Sequence, residues 1–286
     1  MPSTRVGDVD LFYRVRGEGE PLLLIPGTAQ GGDTWPPQLI EQLTDHHTVI
    51  TYDQRATGAT ACTDGPFSIE QFATDAAGLL RAIDVGPAHV LGHSMGGRVA
   101  QAMALDHPSA VHDLILAASG PGAFPGQFAD GREMPRGVPV QLAVAFAEVG
   151  YEAFFKDRVR RTFFPSAVLA QDPPFVSWVV EAVWRHAPTA EGYLKHVVAR
   201  QAFQVADRLT EITVPTLVLV GDADDFQGFA GSHIEQSTYL ADHIPGAELV
   251  VLHGFAHGFF WQDPVRSADV VNRWLARRSS TGGLEQ

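Results

Sequence analysis

Short apolar or β-branched runs alternate with helical patterns over the first 120 residues of the chain. The run at residues 22–25 stops at Pro26-Gly27, and similar runs occupy residues 48–52, 88–91 and 114–118. Runs of this kind, without polar alternate positions, are typical of strands covered on both faces. Strands that alternate with helices form a parallel sheet through right-handed crossovers. The pattern therefore predicts the α/β class, with a mostly parallel sheet flanked by helices.

The helices predicted between these strands lie at residues 37–43, 68–83 and 95–105. The second begins at Ser68, and Gln71 stands three positions later, as in a capping box. The alternation is then interrupted and resumes near residue 215. It continues with strands at 217–220 and 248–252 and with helices at 234–243 and 264–277.

The interruption spans residues 122–206, where no clear strand is visible and helical stretches are rich in aromatic residues and broken by prolines. We therefore predict an α/β core at residues 1–121 and 207–278, with residues 122–206 inserted as a helical lid. We predict that residues 279–286 form a flexible tail. The aromatic residues of the lid favour a substrate that is apolar or contains a ring. Ordinary packing of a helical subdomain explains the same residues equally well.

Bulk properties exclude several classes of partner. The formal net charge is −13, which argues against binding to nucleic acid, because phosphates would repel such a surface. Cys62 is the one cysteine, so the chain cannot form an internal disulfide. No apolar segment approaches the ~18 residues of a membrane span, and residues 1–5 do not resemble a secretory signal. We expect a cytoplasmic protein that acts on a small molecule, and the sequence leaves its oligomeric state open.

One short motif points to catalysis. Gly92-His93-Ser94-Met95-Gly96 matches G-x-S-x-G and lies between a predicted strand and a predicted helix. A serine on such a turn is presented at the carboxyl edge of the sheet, and the amino terminus of the following helix favours developing negative charge. Ser94 is therefore a candidate nucleophile. A glycine-rich turn with a structural serine would account for the motif alone.

A serine nucleophile needs a base and an acid that orients the base. Of twelve histidines, His257 stands out because it lies in a loop just past the last predicted strand. Asp222, Asp224 and Asp225 follow the strand at residues 217–220, at the same predicted edge of the sheet. The order serine, aspartate, histidine along the chain is that of one known type of catalytic triad. The residues alone do not choose among the three aspartates.

No motif for a metal or a cofactor accompanies these residues. His253 and His257 have the i, i+4 spacing of zinc ligands, but that geometry needs a helix and Gly254 follows a strand here. The aspartate cluster lacks the glutamate that closes a calcium-binding loop. No G-x-G-x-x-G follows an early strand, which disfavours a nicotinamide enzyme. We therefore predict that the site uses neither a metal nor a cofactor.

Several of these segments together resemble the α/β-hydrolase superfamily. Residues 24–28 look like the segment of its oxyanion loop, residues 256–264 like its histidine loop, and Gly221-x-x-Asp224 matches its acid segment. Residues 53–60 are similar to its D-x-R-G-x-G-x-S turn, with Ala56 and Thr60 as departures. The closest similarity is to 3-oxoadipate enol-lactonases, cofactor-free haloperoxidases and small esterases.

The resemblance implies roles for particular residues. Asp224 would be the acid of a Ser94–His257–Asp224 triad, and the backbone N–H groups of Thr28 and Met95 would form the oxyanion hole. The implied function is a serine hydrolase that cleaves a small carboxylic ester, thioester or lactone through an acyl-enzyme. The same residues leave alternatives open: a carbon–carbon hydrolase of the meta-cleavage type, a haloperoxidase or perhydrolase, a non-hydrolytic cyclase or lyase, or a binding protein.

Three arginines in the insertion suggest a further contact. Arg158, Arg160 and Arg161 could bind a substrate carboxylate. A solvated basic face of a helix is the simpler interpretation of the same charges.

Overall fold

Eight strands form one sheet in the computed structural model, which describes residues 2–61, 64–65, 67–125, 138–224 and 232–281, with the side chains of 279–281 left aside. The sheet order is β1-β2-β4-β3-β5-β6-β7-β8. Strands β3 to β8 run parallel to one another, whereas β2 pairs antiparallel with both β1 and β4. The strands are β1 (Ser3–Val6), β2 (Val9–Arg16), β3 (Glu20–Ile25), β4 (His47–Tyr52), β5 (Ala88–His93), β6 (Val111–Ala117), β7 (Thr216–Gly221) and β8 (Glu248–Leu252).

Helices cover the sheet and connect its parallel strands, so the predicted α/β class with a mostly parallel sheet is confirmed. The helices are α1 (Pro37–Thr44), α2 (Ile69–Ala82), α3 (Met95–Asp106), α4 (Val138–Val149), α5 (Tyr151–Phe163), α6 (Ser166–Leu169), α7 (Pro174–Trp184), α8 (Ala190–Ala202), α9 (His233–His243), α10 (Phe259–Gln262) and α11 (Pro264–Thr281).

Each central strand is buried on both faces, as its continuous apolar run predicts. In β3, Leu22 and Leu24 belong to one hydrophobic cluster, and Leu23 and Ile25 belong to the other. Because successive side chains of a strand point to opposite faces, the two clusters lie on the two sides of the sheet. Each of the two clusters also includes residues from helices, so helices cover both faces of the central strands.

The sequence analysis missed β1 and β2, which form an antiparallel edge. In β2 the inward residues Val9 and Leu11 alternate with Asp10, a period-two pattern interrupted later by half-buried residues. At the other end of the chain, α11 continues to Thr281, three residues into the predicted tail at 279–286. The last five residues, 282–286, lie outside the described part of the chain.

Helices α4 to α8 all lie between β6 and β7, within the segment predicted as a lid. Whether that segment acts as a lid stays a prediction. Among the described residues no single helix is long and apolar enough to cross a membrane. Only α4 and α5 together pass that test, and they are bent by 114° relative to each other.

A buried arginine joins three early segments of the chain. The side chain of Arg55 is fully buried, and it donates hydrogen bonds to both carboxylate oxygens of Asp75 on α2, at 2.6 and 2.9 Å. It also donates to both oxygens of Asp8, at 3.0 and 2.6 Å, in the turn between β1 and β2. The loop after β4 is thereby fixed to the antiparallel edge and to α2.

We expect Arg55→Met to lower the free energy of unfolding by about 3–5 kcal/mol, because it leaves the buried Asp75 carboxylate without its cation. Urea denaturation measures the change. Arg5→Met is the matched control: Arg5 pairs with Asp10 at 3.1 Å on the surface, and its loss should cost less than about 1 kcal/mol. Equal effects of the two substitutions would show that the buried network does not stabilise the fold.

Candidate active site

Ser94 occupies a sharp turn between β5 and α3. Its backbone has φ 57° and ψ −117°, a conformation that non-glycine residues rarely adopt. Hydrogen bonds hold the turn: the Ser94 N–H donates to the Ala117 carbonyl at 2.8 Å, and the Ser119 hydroxyl donates to the Ser94 carbonyl at 2.8 Å. The predicted strand–turn–helix context of Ser94 is therefore present.

The glycines that flank Ser94 are required by close backbone approach. A Cβ on Gly96 would collide with the carbonyl oxygens of Ile25 and Pro26, at the end of β3. A Cβ on Gly92 would collide with the backbone of Gly96 itself. These contacts bring the loop after β3 against the start of α3, and that loop carries Thr28.

His257 and Asp224 lie next to each other and are both buried. The His257 Nδ1 donates a hydrogen bond to the Asp224 Oδ2 at 3.2 Å. The two loops that carry them are joined by the Ala223 N–H, which donates to the Phe255 carbonyl at 2.8 Å. With Nδ1 directed at the carboxylate, Nε2 is the ring nitrogen left to act on a substrate or nucleophile.

The two described aspartates of the cluster have different partners. Asp222 lies at the surface, where its carboxylate accepts hydrogen bonds from His253 Nδ1 and from the Gly254 N–H, both at 2.7 Å. Asp224 is the one that contacts His257, while Asp225 lies outside the described residues. His253 and His257, the i, i+4 pair, therefore contact different carboxylates.

His93, next to the nucleophile, supports the histidine loop. It is fully buried, and its Nε2 donates a hydrogen bond to the His257 carbonyl at 2.9 Å. Burial lowers the pKa of His93 well below its ordinary value, and the neighbouring His257 lowers it further. His93 is thus a neutral packing residue with one N–H to donate.

A third histidine, which the sequence analysis did not single out, joins the pair. His233 at the start of α9 has its Nδ1 2.8 Å from the Asp224 Oδ2, and its ring centroid lies 4.1 Å from that of His257. The three residues offer possible metal-ligand atoms within 4.8 Å of one another. The Nδ1 atoms of both imidazoles lie near the same carboxylate oxygen, Asp224 Oδ2, so the two histidines share one acid.

The charges at this pair suit a general base. Burial, with a smaller contribution from the neighbouring His233, lowers the pKa of His257 to about 4, although the nearby Asp224 carboxylate acts in the opposite direction. Burial would raise the pKa of the Asp224 carboxyl, but His233 and His257 bring it below its usual value. Near neutral pH, His257 is therefore unprotonated beside an ionised Asp224, so it can accept a proton.

One cavity brings the predicted residues together. Ser94, His257, Thr28 and Met95 all line it. Within the described residues, neither the Thr28 nor the Met95 backbone N–H has a hydrogen-bond partner. Both amides can therefore donate to a negatively charged oxygen beside Ser94, as the resemblance implied.

The insertion contributes both aromatic and cationic groups to this cavity. Its aromatic lining residues are Phe155, Phe163 and Tyr193, while Phe175 and Trp178 are exposed to solvent. The cavity is therefore less aromatic than the composition of the insertion suggested.

Among the three arginines predicted for a carboxylate, only Arg158 lines the cavity. Arg160 pairs with Asp172 at 2.5 Å and Arg161 with Asp157 at 2.9 Å, both on the outer surface of the insertion.

Sequence reasoning missed two further arginines in the cavity, Arg98 and Arg200. Arg98 stands four residues after Ser94 on α3, and the i, i+4 rule could have placed the two on one face of that helix. Arg200 and His233 come from distant parts of the chain. No local pattern marks them, since only the packing of α8 and α9 brings them to Ser94.

Comparisons with known proteins identify the family and the fold. A family model described as alpha/beta hydrolase fold matches residues 20–264. A provisionally named carbamate hydrolase, RutD, from Azorhizobium caulinodans is 33% identical over 276 residues, covering 96% of this chain and 97% of the relative. A non-heme haloperoxidase from Rhodococcus erythropolis is 28% identical, covering 95% and 97% of the two chains.

A solved structure supports the fold alone. The enol-lactonase from Burkholderia xenovorans LB400 superposes with a TM-score of 0.79 at 24% identity, covering 96% of this chain and 100% of that chain. Given the matched family model, the sheet order and the turn at Ser94, this chain belongs to the α/β-hydrolase fold family.

The two described aspartates provide a test of the site. We expect Asp224→Asn to lower kcat for hydrolysis by about 10³- to 10⁴-fold, because the amide no longer fixes the tautomer of His257. Asp222→Asn, at the exposed partner of His253, should change kcat less than about threefold. Steady-state kinetics on the two purified variants measures both values. Equal losses would show that the acid has been assigned to the wrong turn residue.

Proposed function

We propose that this chain is a serine hydrolase that cleaves a small carboxylic ester, thioester or lactone through an acyl-enzyme on Ser94. The observation that carries the proposal is the meeting of four groups in one cavity. These are the hydroxyl on a positive-φ turn, a neutral buried imidazole held by a carboxylate, and two backbone N–H groups without partners. Each is what acyl transfer by a serine requires.

The proposed reaction proceeds in two halves. His257 Nε2 takes the proton of the Ser94 hydroxyl as its oxygen attacks the carbonyl carbon, and the Thr28 and Met95 amides bind the resulting oxyanion. The tetrahedral intermediate collapses, the bond to the leaving oxygen or sulfur breaks, and His257 returns the proton to that atom. Water then attacks the acyl-enzyme by the same route, releasing the acid and restoring Ser94.

The buried carboxylate makes this proton transfer favourable. Asp224 stabilises the imidazolium that forms on His257, and removing solvent strengthens that interaction. His93 holds the backbone of His257 by donating a hydrogen bond to the His257 carbonyl. His257 is therefore held both through its ring and through its main chain. This reduces the conformational entropy lost on reaching the transition state.

The relative named as a carbamate hydrolase favours a second candidate on the same residues. A carbamate carbonyl can be attacked by Ser94 as an ester carbonyl is, with an amine or alkoxide leaving group. Resonance makes the carbamoyl-enzyme slow to hydrolyse, so a p-nitrophenyl N-alkyl carbamate would give one rapid equivalent of p-nitrophenol and then a slow rate. A slow rate after the burst favours esters as the natural class, and sustained rapid turnover favours carbamates.

Hydrolysis of short esters tests the proposal. We expect the purified protein to hydrolyse p-nitrophenyl acetate or butyrate, and Ser94→Ala to lower kcat by about 10⁵- to 10⁶-fold, because the nucleophile is absent. Ser177→Ala is the control, since Ser177 is exposed on α7 and does not line the cavity. It should retain most of the activity. Turnover that persists in Ser94→Ala, or none in the wild type, would rule the proposal out.

A further inference from the structure

The cavity beside Ser94 is strongly cationic. Three arginines from three different helices line it: Arg98 on α3, Arg158 on α5 and Arg200 on α8. None of the described residues that line it is an aspartate or glutamate. The overall charge of the chain is −13, so this concentration of positive charge opposes the general character of the protein.

Arg98 and Arg200 are bound by neutral groups alone. Arg98 donates to the Arg200 carbonyl at 2.6 Å and to the Gln236 Oε1 at 3.5 Å. Arg200 donates to the Thr28 Oγ1 at 3.1 Å. Neither guanidinium forms an ion pair with a carboxylate in the described parts of the chain. A guanidinium has five N–H donors, so each retains donors for a further acceptor.

Burial of these two cations is unfavourable without an anion. Burial, together with the neighbouring Arg200, lowers the pKa of Arg98 to about 9. Burial, together with Arg158, likewise lowers the pKa of Arg200 to about 10. Both remain charged near neutral pH, with Arg98 buried and Arg200 half-buried. An anion that enters the cavity would reduce this repulsion.

The positive groups lie close to the predicted reacting centre. Thr28, which accepts a hydrogen bond from Arg200 through its hydroxyl, also carries one of the two predicted oxyanion N–H groups. Arg98 follows Ser94 by four residues on α3, which is about one turn of helix. An anion bound by these groups is thus only a few bonds from a carbonyl at Ser94.

We propose that Arg98 and Arg200 form a carboxylate-binding subsite, and that the natural substrate carries a carboxylate in addition to the bond that is cleaved. Planar guanidinium groups match a carboxylate with paired hydrogen bonds, and Arg158 adds a third positive charge to the same wall. The inference rests on the proposed function, since it assigns the substrate class of the same site.

Two pairs of esters that differ in one charge test the subsite. Monomethyl glutarate and methyl valerate differ on the acyl side, and 4-acetoxybenzoate and its methyl ester differ on the leaving side. In at least one pair, we expect the wild-type kcat/KM to be at least tenfold higher for the anion. Arg200→Gln, which can still donate to Thr28, should lower that value about 10- to 100-fold while changing the neutral esters less than about threefold.

Two further variants control for charge and for folding. Arg200→Lys should retain part of the preference for the anion. Arg161→Gln, on the outer surface of α5 and away from the cavity, should retain all of it. If the wild type shows no preference in either pair, or if Arg200→Gln slows neutral and anionic esters equally, the subsite does not exist. Equal slowing of the neutral and anionic esters would mean that Arg200 supports the oxyanion hole through Thr28 instead.

Binding without turnover separates this inference from the proposed function. Calorimetric titration of Ser94→Ala with monomethyl glutarate and with 4-acetoxybenzoate should give saturable binding of at least one of them, and Ser94→Ala/Arg200→Gln should bind that anion at least tenfold more weakly. Absence of binding of both anions to Ser94→Ala overturns the subsite even if neutral esters are hydrolysed. Binding that depends on Arg200, without hydrolysis of any ester, supports the subsite and rejects the serine hydrolase.

Discussion

The backbone conformation of Ser94 is the constraint on which the rest of the site depends. A positive φ at a non-glycine residue persists only where the surroundings hold it. Here the end of β3 packs against the first turn of α3 so closely that Gly96 admits no Cβ. The same contact brings the loop that carries Thr28 against the start of α3, where Met95 lies. One packing requirement therefore places Ser94, Thr28 and Met95 along the same cavity.

The parallel sheet supplies the remaining groups at the same edge. Strands β5 and β7 are parallel, so the turn after β5 and the loop after β7 leave the sheet on one side. Asp224 follows β7, and His257 follows β8. Three segments far apart in the chain thus converge because their strands end together. Mutual hydrogen bonds, including that from His93 to the His257 carbonyl, then set their distances.

Most of this convergence could be predicted from the sequence. Continuous apolar runs identified the buried parallel strands, and the turn residues after them indicated which side chains reach the common edge. The choice of Asp224 over Asp222 needed the family resemblance, because Asp222, Asp224 and Asp225 all lie in the same turn after β7 and no local pattern distinguishes them. The structure distinguishes the two by burial and partner: Asp224 is enclosed beside His257, whereas Asp222 faces solvent.

What the sequence did not indicate came from packing between distant elements. In the edge strands β1 and β2, apolar and polar residues alternate only weakly. The continuous apolar runs of the buried strands give a stronger signal, so only those strands were predicted. Arg200 and His233 reach the site through the placement of α8 and α9. Of the three arginines considered for a carboxylate, Arg160 and Arg161 form surface ion pairs, in agreement with a solvated basic helix face, and only Arg158 lines the cavity. The number of arginines on a helix does not show which of them face inward. In this chain, the inward direction of a side chain determines which arginines line the cavity.

The central claim is that Ser94 forms a covalent acyl-enzyme. Reaction with a fluorophosphonate, followed by peptide mass spectrometry, measures this most directly, since the reagent phosphonylates only a serine activated by its base. We predict one equivalent of adduct, located on the peptide that contains Ser94, with loss of esterase activity in proportion to labelling. An adduct on another residue, or undiminished activity after complete labelling of Ser94, would contradict it.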